Sequence, residues 1–163
     1  MTDPTLGISI GPLLSATSQE PVRVKIETWV ADAYPRTKNA VAEPFSPISR
    51  SQLVMEANDV DWDSDADIER LFVLTMMWGS GTTNGRGPRY TNQALEESDV
   101  VGVLRLARDR LAVGDTAGSY DLHKNLAGVG YAFFTKFLWV LGQHLAVKPV
   151  PLILDSFVWK SLG

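Results

Sequence analysis

The chain has 163 residues, 45% of them hydrophobic and 21% charged, which is enough for one soluble domain with a core of its own. It contains no cysteine, and this excludes disulfides, thiol catalysis, Cys-ligated zinc and iron–sulfur clusters. The net charge of −4 is unevenly divided: residues 1–70 carry 6 Lys/Arg against 12 Asp/Glu, or −6, whereas residues 71–163 carry 9 against 7, or +2, so the second part is able to face a phosphate backbone without gross repulsion.

In chain order, residues 1–20 are rich in Gly, Pro, Ser and Thr and read as an irregular arm. From Pro21 the positions Val22, Ile26, Trp29, Val30 and Ala33 have helical spacing, and Pro35 is expected to stop that helix. Residues 35–48 hold three prolines and read as loop. Ser49 or Ser51 suits the cap of a short helix through Gln52, Leu53, Val54 and Met55. The alternating Asp59, Asp61, Asp63, Asp65 and Asp67 resemble a calcium loop, but no frame places Gly at the sixth position together with Glu at the twelfth. The simpler reading is a helix start, with Ser64 as cap and acids at the positive end of the dipole. That helix is expected to run to about Trp78.

Residues 79–90 form a Gly-rich loop without the Lys-Ser/Thr that a phosphate-binding P-loop requires. Its Arg86 and Arg89 suit either a DNA-contacting loop or a solvated linker. Residues 91–113 carry an amphipathic pattern of one or two helices, with Asn92 and Ser98 as candidate caps and Gly114 as the stop. Arg105, Arg108 and Arg110 read as its solvated face. Helices are then expected over 116–125 and 131–142, an extended stretch over 147–151 where two prolines forbid a helix, and a last helix from Asp155 to Leu162. The fold class is all-α: a helical bundle containing a helix-hairpin-helix motif. One helical domain spans 21–163, with the hairpin at about 116–142 and a carboxylate segment at 151–162. No apolar run approaches a membrane span and no signal-peptide pattern opens the chain, so no membrane partner is expected and the cytoplasm is the expected location.

Three features carry chemistry. Gly128-Val129-Gly130 between two helical patterns marks a tight turn, and the amides that begin the following helix suit a phosphate. Lys136 sits among Phe133, Phe134, Phe137 and Trp139. It either snorkels to water or has a depressed pKa that would make it a nucleophilic amine. Asp155 follows an apolar run at a helix start. It either caps that helix or acts as a carboxylate that stabilises a developing cation, and capping would hold it for that task. Trp78, Phe133, Phe134, Trp139 and Trp159 are core aromatics by their pattern, and one or two of them, Phe133, Phe134, Trp78 and Trp159 first, are also candidates for stacking on an extruded base. His123 and His144 have no metal-ligand spacing, and no metal site is expected.

At these residues the sequence resembles the helix-hairpin-helix DNA glycosylase superfamily. Leu126-Ala-Gly-Val-Gly130, then a helix, then Leu152-Ile-Leu-Asp155-Ser-Phe-Val158, fit its pattern in order and character. The missing cluster cysteines set it apart from the endonuclease III and adenine-glycosylase branches, and it looks closer to the 8-oxoguanine glycosylase branch and to compact bacterial OGG-like proteins. The resemblance implies excision of a modified base from double-stranded DNA, an oxidised purine such as 8-oxoguanine, by a monomer. It implies Asp155 as the carboxylate, the amides of Gly128, Val129 and Gly130 as phosphate ligands, and no cofactor beyond a monovalent cation at the hairpin. In bifunctional members a lysine just after the hairpin glycines attacks the sugar. Here that place is Ala132, and Lys136 lies one turn along the same face, so it either takes over that role with AP-lyase activity or water is the nucleophile. The 142–151 loop is longer than the pattern, and Gly163 follows soon after Asp155, where family members continue with pocket-closing helices; a minimal or truncated version is expected. Two other readings stand beside the enzyme: a DNA-binding module that has lost its chemistry, and a helical interaction domain.

Overall fold

The computed structural model describes residues 19–154, except Asn84. Its described elements are α1 (Ile26–Trp29), α2 (Pro35–Ala40), α3 (Arg50–Asp59), α4 (Asp65–Gly79), α5 (Gly87–Glu97), α6 (Val100–Ala112), α7 (Thr116–Asp121), a 3-10 turn (Leu122–Asn125) and α8 (Tyr131–His144). Among the described residues there is no strand; one antiparallel bridge pairs Val22 with Ile48. The protein is an all-α bundle. None of the described helices is long and apolar enough to cross a membrane.

The bundle is arranged around α4. Ser64 caps it by accepting from the Asp67 amide, and Asp65 and Asp67 occupy its first turn. Its second half, from Leu71 to Trp78, is buried without interruption. A helix apolar all round is stable only when surrounded, and α2, α3, α5, α6 and α8 all pack on it. Trp29, Phe72, Phe134 and Phe137 are completely enclosed in this core, each contributing on the order of 1.5–3 kcal/mol by leaving water.

Several expectations hold. Ser49 caps α3 with a full capping box through Gln52, and Gly114 adopts φ +83 after α6. Others are corrected. The helix expected from Pro21 is a single turn, because the Val22 amide and carbonyl are bonded to Ile48 at 2.8 and 2.9 Å. Pro35 begins a helix instead of ending one. At the first helical position its missing N–H costs nothing, and Oδ1 of Asn92 accepts from the next two amides, Arg36 at 3.0 Å and Thr37 at 3.3 Å. Asn92 therefore caps α2 from within α5, not its own helix. The loop expected over 79–90 is shorter, since α5 starts at Gly87. The α6 cap is Asp99, which accepts from Gly102 at 2.9 Å; Ser98 closes α5. The arginines of α6 are partly buried and engaged, with Arg105 paired to Asp65 at 2.8 Å, Arg110 to Asp115 at 3.9 Å and Arg108 lying over the Trp62 ring, so the freely solvated face expected there is corrected. The arm over residues 1–18 and the helix expected from Asp155 lie outside the described residues.

Candidate functional site

α7 and its 3-10 extension lead into the 126–130 turn, and α8 leaves it. Leu126 and Val129 are buried, and they anchor the turn in the core. The Val129 amide closes it onto the Leu126 carbonyl at 3.3 Å, and Ser98 Oγ accepts from the Ala127 amide at 2.8 Å. Gly128 has φ +71, a conformation open to glycine at little cost. A Cβ there would also meet Tyr90 Cδ1 at 3.0 Å and Gln93 Oε1 at 3.1 Å, both from α5. Gly130 differs. As N-cap of α8 it has an ordinary φ of −76, and a Cβ would meet nothing within 4 Å. Both glycines are exposed, and among the described residues their amides have no hydrogen-bond partner. The turn thus presents bare backbone donors at the positive end of a 14-residue helix, an arrangement suited to an anion.

Lys136 lies on the first half of α8 and is half-buried. Its stem runs over the end of α4, where a Cβ on Gly79 would come 2.8 Å from Lys136 Cδ and 3.2 Å from Phe133. Nζ donates to the Ala132 carbonyl at 3.2 Å and sits 5.0 Å from the Phe133 ring centre. Phe133 and Lys136 are therefore neighbours on one face. Phe134, the next residue, turns into the core, with its ring 6.4 Å from that of His123. Trp78 is also nearly enclosed; it stacks on Trp139 at 6.4 Å. The Arg50 guanidinium lies over both indoles, at 5.7 Å from Trp78 and 5.1 Å from Trp139. Partial burial pulls the Arg50 pKa down. Beside this stack is a cavity of about 230 Å³ lined by Arg50, Ser51, Val54, Trp139 and Gln143. Arg50 was not among the residues expected from sequence at the site. No local pattern marks it, because three helices bring the cluster together.

The segment after α8 folds back along it. The Val147 amide bonds to the Gly142 carbonyl at 3.0 Å, and Pro151 packs directly on Gly142, where a Cβ would collide with its ring. Tyr120 of α7 donates its hydroxyl to the Leu152 carbonyl at 3.0 Å; burial pushes that phenol's pKa up. The Leu154 amide donates to Thr135 Oγ1 at 2.9 Å. The strap thus ends one residue from Lys136, and the next residue in sequence is Asp155. Asp155 and Trp159 themselves lie outside the described residues.

The two loop arginines part company. Arg86 is exposed at the start of α5, with Nη1 3.4 Å from the hydroxyl of Tyr90, the same ring that backs Gly128. Arg89 lines an open cleft with Tyr34, Gln93, Glu96 and Glu97. The histidines have local partners: His123 Nδ1 is 2.8 Å from the Tyr120 carbonyl, and His144 Nδ1 is 2.8 Å from Asn58 Oδ1. Among the described residues no group of three or more His, Asp or Glu side chains is gathered as a metal site would need.

No curated protein and no solved structure matches the chain. A family model described as "Putative 8-oxoguanine DNA glycosylase OGG-like protein" matches residues 15–163, a span that takes in every described helix together with the 126–130 turn, Lys136 and Asp155. The chain belongs to this OGG-like family.

Proposed function

We propose that the protein is a DNA glycosylase that excises a modified base, an oxidised purine such as 8-oxoguanine, from double-stranded DNA. The 126–130 turn is the hairpin of a helix-hairpin-helix, and its exposed Gly128 and Gly130 amides hold a backbone phosphate. Asp155 supplies the carboxylate that stabilises the cationic sugar as the glycosidic bond breaks. Lys136 is the candidate amine: attack of neutral Nζ on C1′ forms a C–N bond while the base leaves with the bonding electrons and takes up a proton; Nζ then loses a proton, the C1′–O4′ bond breaks with O4′ protonated, and the resulting Schiff base opens the way to strand cleavage. Phe133, beside Lys136, is the favoured stacking surface for the extruded base, and Arg86 adds a charged contact near the turn.

One observation carries this reading within the family assignment. The strap is tied to Thr135 at 2.9 Å through Leu154, so the residue before Asp155 and the residue before Lys136 are in direct contact. The Leu126 carbonyl already accepts from Val129, and the Gly130 carbonyl accepts from both Phe133 and Phe134, so these two oxygens are less open to a monovalent cation at the hairpin.

Base release from duplexes carrying a panel of modified bases tests the proposal. Asp155→Asn is expected to abolish excision with the melting temperature retained, and excision by that variant at the wild-type rate would sink the assignment. Borohydride trapping tests the amine: an adduct that persists in Lys136→Ala rejects its role. Salt-sensitive duplex binding without excision of any base in the panel would select the non-catalytic DNA-binding module instead.

A further inference from the structure

Thr135 is buried at 1% exposure, and its hydroxyl is bonded differently from that of Thr75, the buried threonine of α4. Thr75 donates back to the Leu71 carbonyl at 2.9 Å, an ordinary helix back-bond. In Thr135 the corresponding bond, to the Ala132 carbonyl, is longer at 3.4 Å, and the oxygen accepts from outside the helix, from the Leu154 amide at 2.9 Å. The Ala132 carbonyl in turn accepts from Lys136 Nζ at 3.2 Å. One chain of polar contacts therefore runs from the Leu154 amide through the Thr135 hydroxyl and the Ala132 carbonyl to Lys136 Nζ.

The strap has no slack between its two fixed points. From Gly142 back to Thr135 is seven residues of α8, about 10.5 Å at the helical rise. From Pro151 to Leu154 is three residues, about 10 Å when extended. The packing of Pro151 on Gly142 and the bond of Leu154 to Thr135 are both met only by a nearly extended strap in this register. A slip of one residue moves the strap by about 3.3 Å along the helix, which breaks the Thr135 bond.

We propose that Thr135 is a positioning residue for base excision. Its hydroxyl sets the register at which the chain leading to Asp155 meets α8 and refers that register to the same carbonyl that holds Lys136. This rests on the catalytic reading of Asp155 above. Misplacement of a catalytic group by about 1 Å costs up to a hundredfold in rate, whereas simple loss of a buried hydroxyl lowers stability alone.

The test compares wild type, Thr135→Val, Thr135→Ser and Asp155→Asn by single-turnover excision rate, duplex Kd, melting temperature and hydrogen exchange of the Leu154 amide. Thr135→Val keeps the shape and removes the acceptor. It is expected to slow excision at least tenfold, with Kd within twofold of wild type and fast exchange at Leu154. Thr135→Ser is expected to restore both rate and protection. If Val at 135 prevents folding, Thr135→Ala replaces it with the same expectation. A wild-type rate in Thr135→Val, or a Ser variant as slow as the Val variant, overturns the positioning role. Excision by Asp155→Asn at the wild-type rate overturns the catalytic reading itself. A wild type that excises nothing while its Leu154 amide is protected leaves the bond as structure only and rejects the proposal.

Discussion

Gly128→Ala and Gly130→Ala place the same methyl group two residues apart in the 126–130 turn, with different expected consequences. At 128 the backbone has φ +71, and an L side chain in that region costs about 1–2 kcal/mol. The methyl also meets Tyr90 at 3.0 Å and Gln93 at 3.1 Å, so these half-buried side chains must give way by a few tenths of an ångström. A total near 2 kcal/mol follows, or a fall in melting temperature of roughly 4–8 °C for a domain of this size. At 130 the φ is −76 and nothing lies within 4 Å of the new Cβ. The only stability term there is Ala in place of Gly at a helix N-cap, about 0.5 kcal/mol. The Gly130 methyl would, however, stand on the surface where the proposed phosphate meets the bare amides. Fluorescence anisotropy on a labelled duplex, beside thermal melts by circular dichroism, separates the two effects. Gly130→Ala is expected to weaken duplex binding about tenfold, equivalent to about 1.4 kcal/mol, with its melting temperature close to wild type. Gly128→Ala is expected to lose both. Wild-type DNA affinity in Gly130→Ala would refute the phosphate-binding role of the turn, and an unchanged melting temperature in Gly128→Ala would refute the stereochemical account of position 128.

Two further outcomes are expected. Arg86→Ala should reduce the slope of log K against log salt concentration by about 0.9, the loss of one phosphate contact. Arg89→Ala should leave it unchanged, because Arg89 faces the cleft with Glu96 and Glu97; equal slopes for the two variants would count against this division. His144 is held below its ordinary pKa of 6.5 by partial burial and then by the Arg108 charge, across the Trp62 ring on which Arg108 lies at 4.8 Å. Its folded pKa being the lower one, the unfolded chain binds more protons below about pH 6.5, and stability falls as the pH drops through that range. Urea midpoints at pH 7.5 and 5.5 should therefore differ more in wild type than in His144→Gln, which keeps a donor for Asn58; identical shifts would exclude His144 as the cause. The carboxylates held low by lysines, Asp32 and Asp121, titrate below 3.8 and stay outside this window.

Caps and periodicity were legible because they act within a few residues. Ser49 and Ser64 are recognisable from hydroxyls followed three residues later by their partners, and the α4 and α8 patterns are long and strongly apolar. The α6 cap lies one residue beyond the one expected, at Asp99, and the larger errors involve distant partners. Pro35 stops a helix or starts one depending on what satisfies the amides after it, and that partner is Asn92, more than fifty positions away. Val22 keeps helical spacing but gives its backbone to Ile48. Arg50 carries no local mark at all, since its stack with Trp78 and Trp139 draws on three helices.

The same division holds at the candidate site. The sequence by itself determined a helical chain without cysteine chemistry, the Gly128 and Gly130 turn before α8, and the order of turn, Lys136 and Asp155, because these follow from residue type and from spacing along one chain. Only the tertiary structure decided that Phe134 is enclosed in the core while Phe133, beside Lys136, stays partly exposed, that Tyr90 stands behind Gly128 and ties Arg86 to the turn, and that the strap after α8 returns to Thr135 beside Lys136. Those outcomes depend on which helix faces fill the space around α4. Close packing makes that choice among all elements at once, and no single stretch of sequence encodes it.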